Sequence, residues 1–227
     1  MKLRRLHNLF HPKRGEIWML HRVVEERSTL PSQNVLEVTP AWLERRIKEY
    51  QSKGFRFVGI DDVLSAKHFI CITLDDGYID TLDVALPLFR RLNVPFVVYV
   101  TTGFLDGGMT IPWYPGEKLS LTTDEVRRLA AEQLCTIGAH TVSHPRLSTI
   151  TADAQRLEIE TSVHRLEAIT GLPIRHFSYP HGDYNDKTVE ILESLGLKTS
   201  VTTNGRTVRN DCKPLELDRI NVVQPIE

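Results

Sequence analysis

A chain of 227 residues with 41% hydrophobic and 25% charged residues can bury a sizeable core and needs no second domain. Its formal net charge of −1, without any RNP, zinc-finger or basic-helix pattern, argues against nucleic acid as a partner. Three widely spaced cysteines, Cys71, Cys135 and Cys212, form no disulfide framework and fit a reducing compartment.

Residues 1–15 (MKLRRLHNLFHPKRG) read as a basic arm. Five Lys and Arg and no acid precede Glu16, interleaved with Leu3, Leu6, Leu9 and Phe10. A solvated arm and a weak contact of residues 1–14 with an anionic membrane surface both fit this pattern. The arm lacks the apolar stretch and small-residue cleavage site of a signal peptide, and no apolar run is long enough to span a bilayer. A cytoplasmic location, peripheral at the inner face of a membrane, is the expectation.

From Glu16 to residue 227 one catalytic domain is expected, because short apolar runs alternate with amphipathic ones. EIWMLHRVV (16–24) predicts a strand. TPAWLERRIKEYQSKG (39–54) predicts a helix with Thr39 as N-cap, Pro40 in the first turn and Gly54 past the end. FRFVGI and FICITL are strands, YIDTLDVALPLFRRLN a helix in spite of Pro87, and VPFVVYVTT a strand apolar on both faces. Thr122 and Glu125 form a capping box before the next helix. LCTIGAH is a strand, TADAQRLEIETSVHRLEAITG a helix stopped by Gly171, IRHFSYP a strand, and YNDKTVEILESLG a helix stopped by Gly196. KTSVTT and DRINVV close the chain as strands. This alternation predicts an α/β fold, a single distorted (β/α) barrel of about seven parallel strands with its chemistry at the strands' C-terminal ends.

Two motifs stand at those ends. Asp75 and Asp76 follow FICITL and precede Gly77, although adjacent carboxylates leaving a core repel one another and resist desolvation. His140 and His144 follow LCTIG. On one helical turn, residues four apart lie about 5–6 Å from each other, a spacing suited to gripping one metal ion. Spacing alone is weak evidence among nine histidines, and His7 and His11 repeat it within the arm, where they read as surface residues. A divalent cation would take one aspartate as ligand and leave the other as a general base. A solvated turn, with Asp76 as an N-cap, is the alternative for DDG in isolation. A third motif, HFSYPHGDYN (176–185), turns at Pro180 and Gly182 and can present a backbone N–H to an oxyanion. Trp113 and Tyr114, in the loop MTIPWYPGEKLSLT, and Tyr184 could stack on a sugar ring or anchor their own loops.

TLDDG, HTVSH and SYPHG, in this order, resemble the motifs of polysaccharide deacetylases of carbohydrate esterase family 4, the NodB-homology domain. The resemblance covers roughly residues 16–223 and implies a NodB-like barrel that removes N-acetyl groups from amino sugars of a polysaccharide, oligosaccharide or lipid-linked precursor. The missing export signal adds the expectation of a cytoplasmic substrate in envelope polysaccharide assembly. It implies Asp75 as catalytic base, Asp76, His140 and His144 as ligands of a divalent metal such as zinc, the backbone N–H of His181 at the oxyanion, and Tyr179 and Pro180 beside the substrate. Two departures accompany it. Ser178 stands where the family carries an arginine that orients the base, and Arg175 or Arg219 is the candidate replacement. No histidine follows Gly182 to serve as the family's general acid. His21, in MLHRV, looks like the histidine of a circularly permuted branch in which the last barrel strand comes first. A formamido sugar or small amide as substrate, or a non-catalytic carbohydrate-binding protein, are the alternative readings.

Overall fold

The computed structural model describes residues 13–115 and 118–225, so His7, His11 and most of the basic arm lie outside the described residues. In chain order the elements are β1 (Lys13–Leu20), β2 (Arg22–Val23), α1 (Pro31–Asn34), β3 (Glu37–Val38), α2 (Pro40–Ser52), β4 (Arg56–Phe57) and β5 (Phe69–Leu74). They continue as α3 (Leu86–Leu92), β6 (Phe96–Val100), α4 (Thr123–Ala130), β7 (Cys135–Ala139), α5 (Ala152–Thr170) and β8 (His176–Ser178). The last are α6 (Asp186–Ser194), β9 (Thr199–Val201), β10 (Val208–Arg209) and β11 (Ile220–Asn221).

The main sheet runs β10-β1-β5-β6-β7-β8-β9, with β11 parallel to β1 and β4 parallel to β5. The segment leading into β11 also pairs with β9 through Val201 and Leu217. One stretch of chain therefore touches both β9 and β1, and the sheet curls back on itself. Seven parallel segments (β1, β5 to β9, and the 217–221 stretch) form the distorted barrel, and β10 joins β1 antiparallel.

Strand periodicity sorts the core into two layers. Ile70, Ile72 and Leu74 of β5, with Phe96, Val98 and Val100 of β6, face outward and pack on Leu43 and Ile47 of α2, Phe89 of α3, Val126 and Leu129 of α4 and Ile159 of α5. The alternate residues Ile17, Phe69, Cys71, Val97, Tyr99, Val201 and Leu217 fill the interior. Gly138 is required there, because a Cβ would lie 2.5 Å from the Tyr99 ring. Cys71 is fully buried and its thiol is pushed up by burial, as an inert core residue would be.

Three local expectations are corrected. The strand expected over 16–24 breaks at His21, after which β2 pairs with β3 in a separate two-stranded sheet. The helix expected around Pro87 opens as a wide π turn over Thr81–Ala85, and Pro87 follows at the start of α3, where the widened turn accommodates its missing N–H. The expected arm of 1–15 is shorter, because β1 starts at Lys13 and Arg14 donates to the Ala66 carbonyl through Nε and Nη2. No helix among the described residues is long and apolar enough to cross a membrane.

Candidate active site

Register brings the chemistry to one pole. Leu20 of β1 lies opposite Leu74 of β5, and Asp75 N donates to the Leu20 carbonyl at 3.0 Å, so His21 and Asp75 leave neighbouring strands side by side. Val100 lies opposite Ala139 and Ala139 opposite Phe177, which brings His140 and Ser178 to the same rim. Parity then continues the inward face of β5 through Cys71 and Thr73 to Asp75.

Arg219, just before β11, answers the question raised by a buried Asp75. It is fully buried, and its Nη1 and Nη2 donate to Asp75 Oδ1 and Oδ2, both at 2.7 Å. The same guanidinium donates to Thr73 Oγ1, Ser178 Oγ and the Thr202 carbonyl, so its fork is fully used. Burial alone would raise the Asp75 carboxyl, but the charge and hydrogen bonds of Arg219 outweigh it and hold the group below the usual carboxylate range. Arg175, the other candidate, is exposed. Ser178 completes the arrangement by donating through Oγ to Asp75 Oδ2 at 3.3 Å.

Asp76, His140 and His144 offer three ligand atoms within 4.8 Å of one another. Both imidazole Nε2 atoms lie 3.5 Å from Asp76 Oδ1. That buried oxygen has no hydrogen-bond partner, an expensive omission unless a cation completes it. His140 Nδ1 lies 2.7 Å from the Ser178 carbonyl, to which only a protonated Nδ1 can donate. This aims Nε2 at Asp76, and once that nitrogen gives up its proton its lone pair is placed for a metal. Burial and the neighbouring His140 push His144 down to about 3, which keeps it neutral. Two imidazoles and one carboxylate with space beside them suit a divalent cation with open positions.

The two histidines do not sit on a helical turn, as their spacing suggested. They flank an irregular loop in which Thr141 and His144 have φ of 65° and 61°. Glu158 of α5 braces this loop, its Oε2 accepting Val142 N and Ser143 N at 2.9 and 2.8 Å and its Oε1 accepting Ser143 Oγ at 2.6 Å. Asp76 and His181 also have left-handed backbones, with φ of 74° and 59°. Of seven non-glycine residues with positive φ among those described, four are therefore Asp76, Thr141, His144 and His181. Backbone strain concentrates where side chains must be aimed.

A pocket of about 190 Å³ is lined by Met19, His21, Leu36, Asp75, Asp76, Trp113, His140, His144, His181 and Thr203. Trp113 is half-buried, 5.0 Å from the His144 ring, and donates through Nε1 to the Tyr78 hydroxyl at 2.6 Å. Tyr114 is buried and anchors the same loop. The other residues expected beside the substrate lie elsewhere. Tyr179 is fully buried and its hydroxyl donates to the Leu215 carbonyl, because it occupies the outward parity of β8. Tyr184 stacks on Tyr179 at 4.3 Å and lies outside this pocket, as does buried Pro180. Glu158 had no sequence signal, being one acid among several on a polar helix.

A carboxylate kept ionised beside a ready cation site, at the strand ends of a parallel barrel, suits hydrolytic cleavage of an acyl bond. Residues 64–200 match the family model described as polysaccharide deacetylase, and the chain belongs to that family. It is a hydrolase of carbon–nitrogen bonds other than peptide bonds. YxkH of Bacillus subtilis (strain 168), named as a polysaccharide deacetylase, is 24% identical over 212 residues, 93% of this chain and 72% of that protein. The Streptococcus pyogenes deacetylase PplD, solved in complex with acetate, superposes with a TM-score of 0.78 at 25% identity over 93% of each chain. IcaB from Ammonifex degensii shares the fold with a TM-score of 0.77 at 22% identity over 92% of each chain.

Proposed function

We propose that the protein removes N-acetyl groups from amino sugars of a polysaccharide, oligosaccharide or lipid-linked glycan precursor, and that it belongs to the circularly permuted branch of its family. The observation that carries this reading is the convergence of the Arg219-clamped Asp75 with Asp76, His140 and His144 in one pocket. Asp76, His140 and His144 would hold a divalent cation, for which zinc suits the two imidazoles and single carboxylate. When bound, such a cation supplies Lewis-acid polarisation of the acyl carbonyl. Asp75, ionised and fixed in orientation by Arg219, takes the proton of the attacking water. His21, beside Asp75 across the β1–β5 ladder, passes a proton to the departing amine, which would otherwise be a poor leaving group. The backbone N–H of His181 steadies the oxyanion on the acyl oxygen. Leu36, Met19 and Trp113 give the acyl end of the substrate an apolar surround. A role for His21 at the start of the barrel is what a permuted order requires, since β1 and β11 are adjacent in the ring.

The test is acetate release from a panel of N-acetylated amino sugars, with formate release from formamido analogues measured in parallel. Wild type should release acetate in a chelator-sensitive manner, and Asp75→Asn and His21→Ala should each lose about 100-fold or more. Absence of chelator-sensitive acyl release from every substrate would overturn the reading.

A further inference from the structure

Directly behind the pocket lies a buried ionic cluster for which the reaction above has no use. Arg22, Glu37 and Asp80 are 9%, 3% and 6% exposed. Arg22 Nε donates to Asp80 Oδ2 at 2.8 Å, and its Nη1 donates to Glu37 Oε1 at 3.1 Å. The other Asp80 oxygen accepts Val23 N at 3.1 Å, and the Tyr114 hydroxyl donates to Glu37 Oε1 at 2.8 Å. The guanidinium also faces the rings of Tyr114 and Tyr78, at 4.8 and 5.4 Å from their centroids.

Burying one cation between two carboxylates and two aromatic faces costs desolvation that an apolar cluster of the same volume would avoid. The cluster's position supplies a reason for it. Arg22 directly follows His21, Glu37 directly follows Leu36, and Tyr114 directly follows Trp113, and all three preceding residues line the pocket. Tyr78, two residues after Asp76, takes the Trp113 Nε1 hydrogen bond. Three chain segments that meet nowhere in sequence thus share one knot, and each sends its neighbouring side chain into the pocket. We propose that Arg22 is a positioning residue whose guanidinium ties β2, β3 and the 109–115 loop to Asp80 and so sets His21, Leu36 and Trp113 around the acyl group. The inference rests on the deacetylase reading for its kinetic consequences. A planar fork is what the knot demands: it meets Asp80 and Glu37 at once while lying against two rings, and a lysine ammonium cannot do all four.

The experiment compares zinc-loaded wild type, Arg22→Lys, His21→Asn and the double variant on an N-acetylhexosamine oligosaccharide. Zinc titration reports on the metal site, and histidine-ring NMR reports on His21. Arg22→Lys should bind zinc as wild type does and lose about 10- to 100-fold in kcat with a smaller change in KM. Its His21 ring signals should move while those of His140 stay in place. The double variant should lose less than the sum of the two single losses, because part of the Arg22 effect acts through His21. Full additivity, or a wild-type kcat in Arg22→Lys, would overturn the proposal. Should Arg22→Lys not fold, Glu37→Gln, which keeps shape and loses one charge, is judged by the same criteria. A wild type inactive on every amide substrate would remove the deacetylase reading instead, and the NMR signals then decide, stationary His21 signals counting against the proposal.

Discussion

What Asp75 can do depends on a single partner. With Arg219 in place the carboxyl sits below its usual range, so the base is ionised throughout the neutral region. Without Arg219, burial dominates and raises the carboxyl. A base must be deprotonated to act, so losing Arg219 moves the acidic limb of kcat/KM to higher pH. Arg219→Met should show that shift in a pH–rate profile and should lower stability in denaturant by about 3–5 kcal/mol, since a buried carboxylate loses its counter-ion. An acidic limb left at its wild-type position would show that Asp75 is tuned by something else. Legibility at this scale was uneven for identifiable reasons. Asp75, Asp76, His140 and His144 could be read because each follows an apolar strand, and strand ends are where barrels keep their chemistry. Arg219 and Arg175 could not be told apart, because each is a lone arginine in a strand-like context and only burial separates them. Tyr179 was legible in principle: with Ser178 inward, alternation sends Tyr179 out to the helices.

At the level of elements, the loop from Thr141 to His144 is the part whose shape no regular structure dictates. Its two left-handed residues are costly, and they persist because α5 supplies Glu158 as acceptor for two backbone N–H groups and one hydroxyl. The His144 N–H is separately satisfied by Thr141 Oγ1 at 3.0 Å. Removing Glu158 should therefore loosen His144 while leaving Asp76 and His140 on their strand ends. Glu158→Ala is expected to weaken zinc binding about 10- to 100-fold in a calorimetric titration, as loss of an outer partner commonly does. Unchanged affinity in a folded Glu158→Ala protein would mean that the loop holds its shape unaided. The helices were easier to anticipate than this loop. Thr39, the Thr122–Glu125 box and Gly171 mark helix ends by local hydrogen bonding, and the structure places caps at those positions. A brace contributed by a residue 15 to 16 positions downstream leaves no comparable local trace.

For the molecule as a whole, gathering ionisable groups inside a barrel links folding to pH. His176, on β8, is 2% exposed, with Nδ1 2.8 Å from Thr199 Oγ1 and Nε2 3.5 Å from Asp61 Oδ1. Burial lowers its pKa, and the partial compensation from Asp61 does not restore it. His144 and His181 are lowered as well, chiefly by burial, whereas His140 is raised because Asp76 and Asp75 outweigh its burial. A histidine depressed in the folded state takes up its proton more readily in the unfolded chain. Stability therefore rises with pH through the unfolded value near 6.5 and is lost as pH falls below it toward the folded value. His140 has the opposite sign in a separate window, contributing stability below about 6.5 that fades as pH rises through its raised value, so it leaves the acid slope of the other three unchanged. Asp75 and Asp76 do not enter this window, because both are depressed and act only below the ordinary carboxylate range. Metal-free protein should thus weaken on mild acidification. His176→Asn isolates one contribution, since an amide can keep the Thr199 contact but takes up no proton in this range. Unfolding free energies of metal-free wild type from urea titrations should fall by up to about 1.4 kcal/mol per pH unit for each depressed histidine, and His176→Asn should flatten that slope by one such share with the pocket untouched. If the variant keeps the full wild-type slope, His176 is not among the groups that couple this barrel to acid.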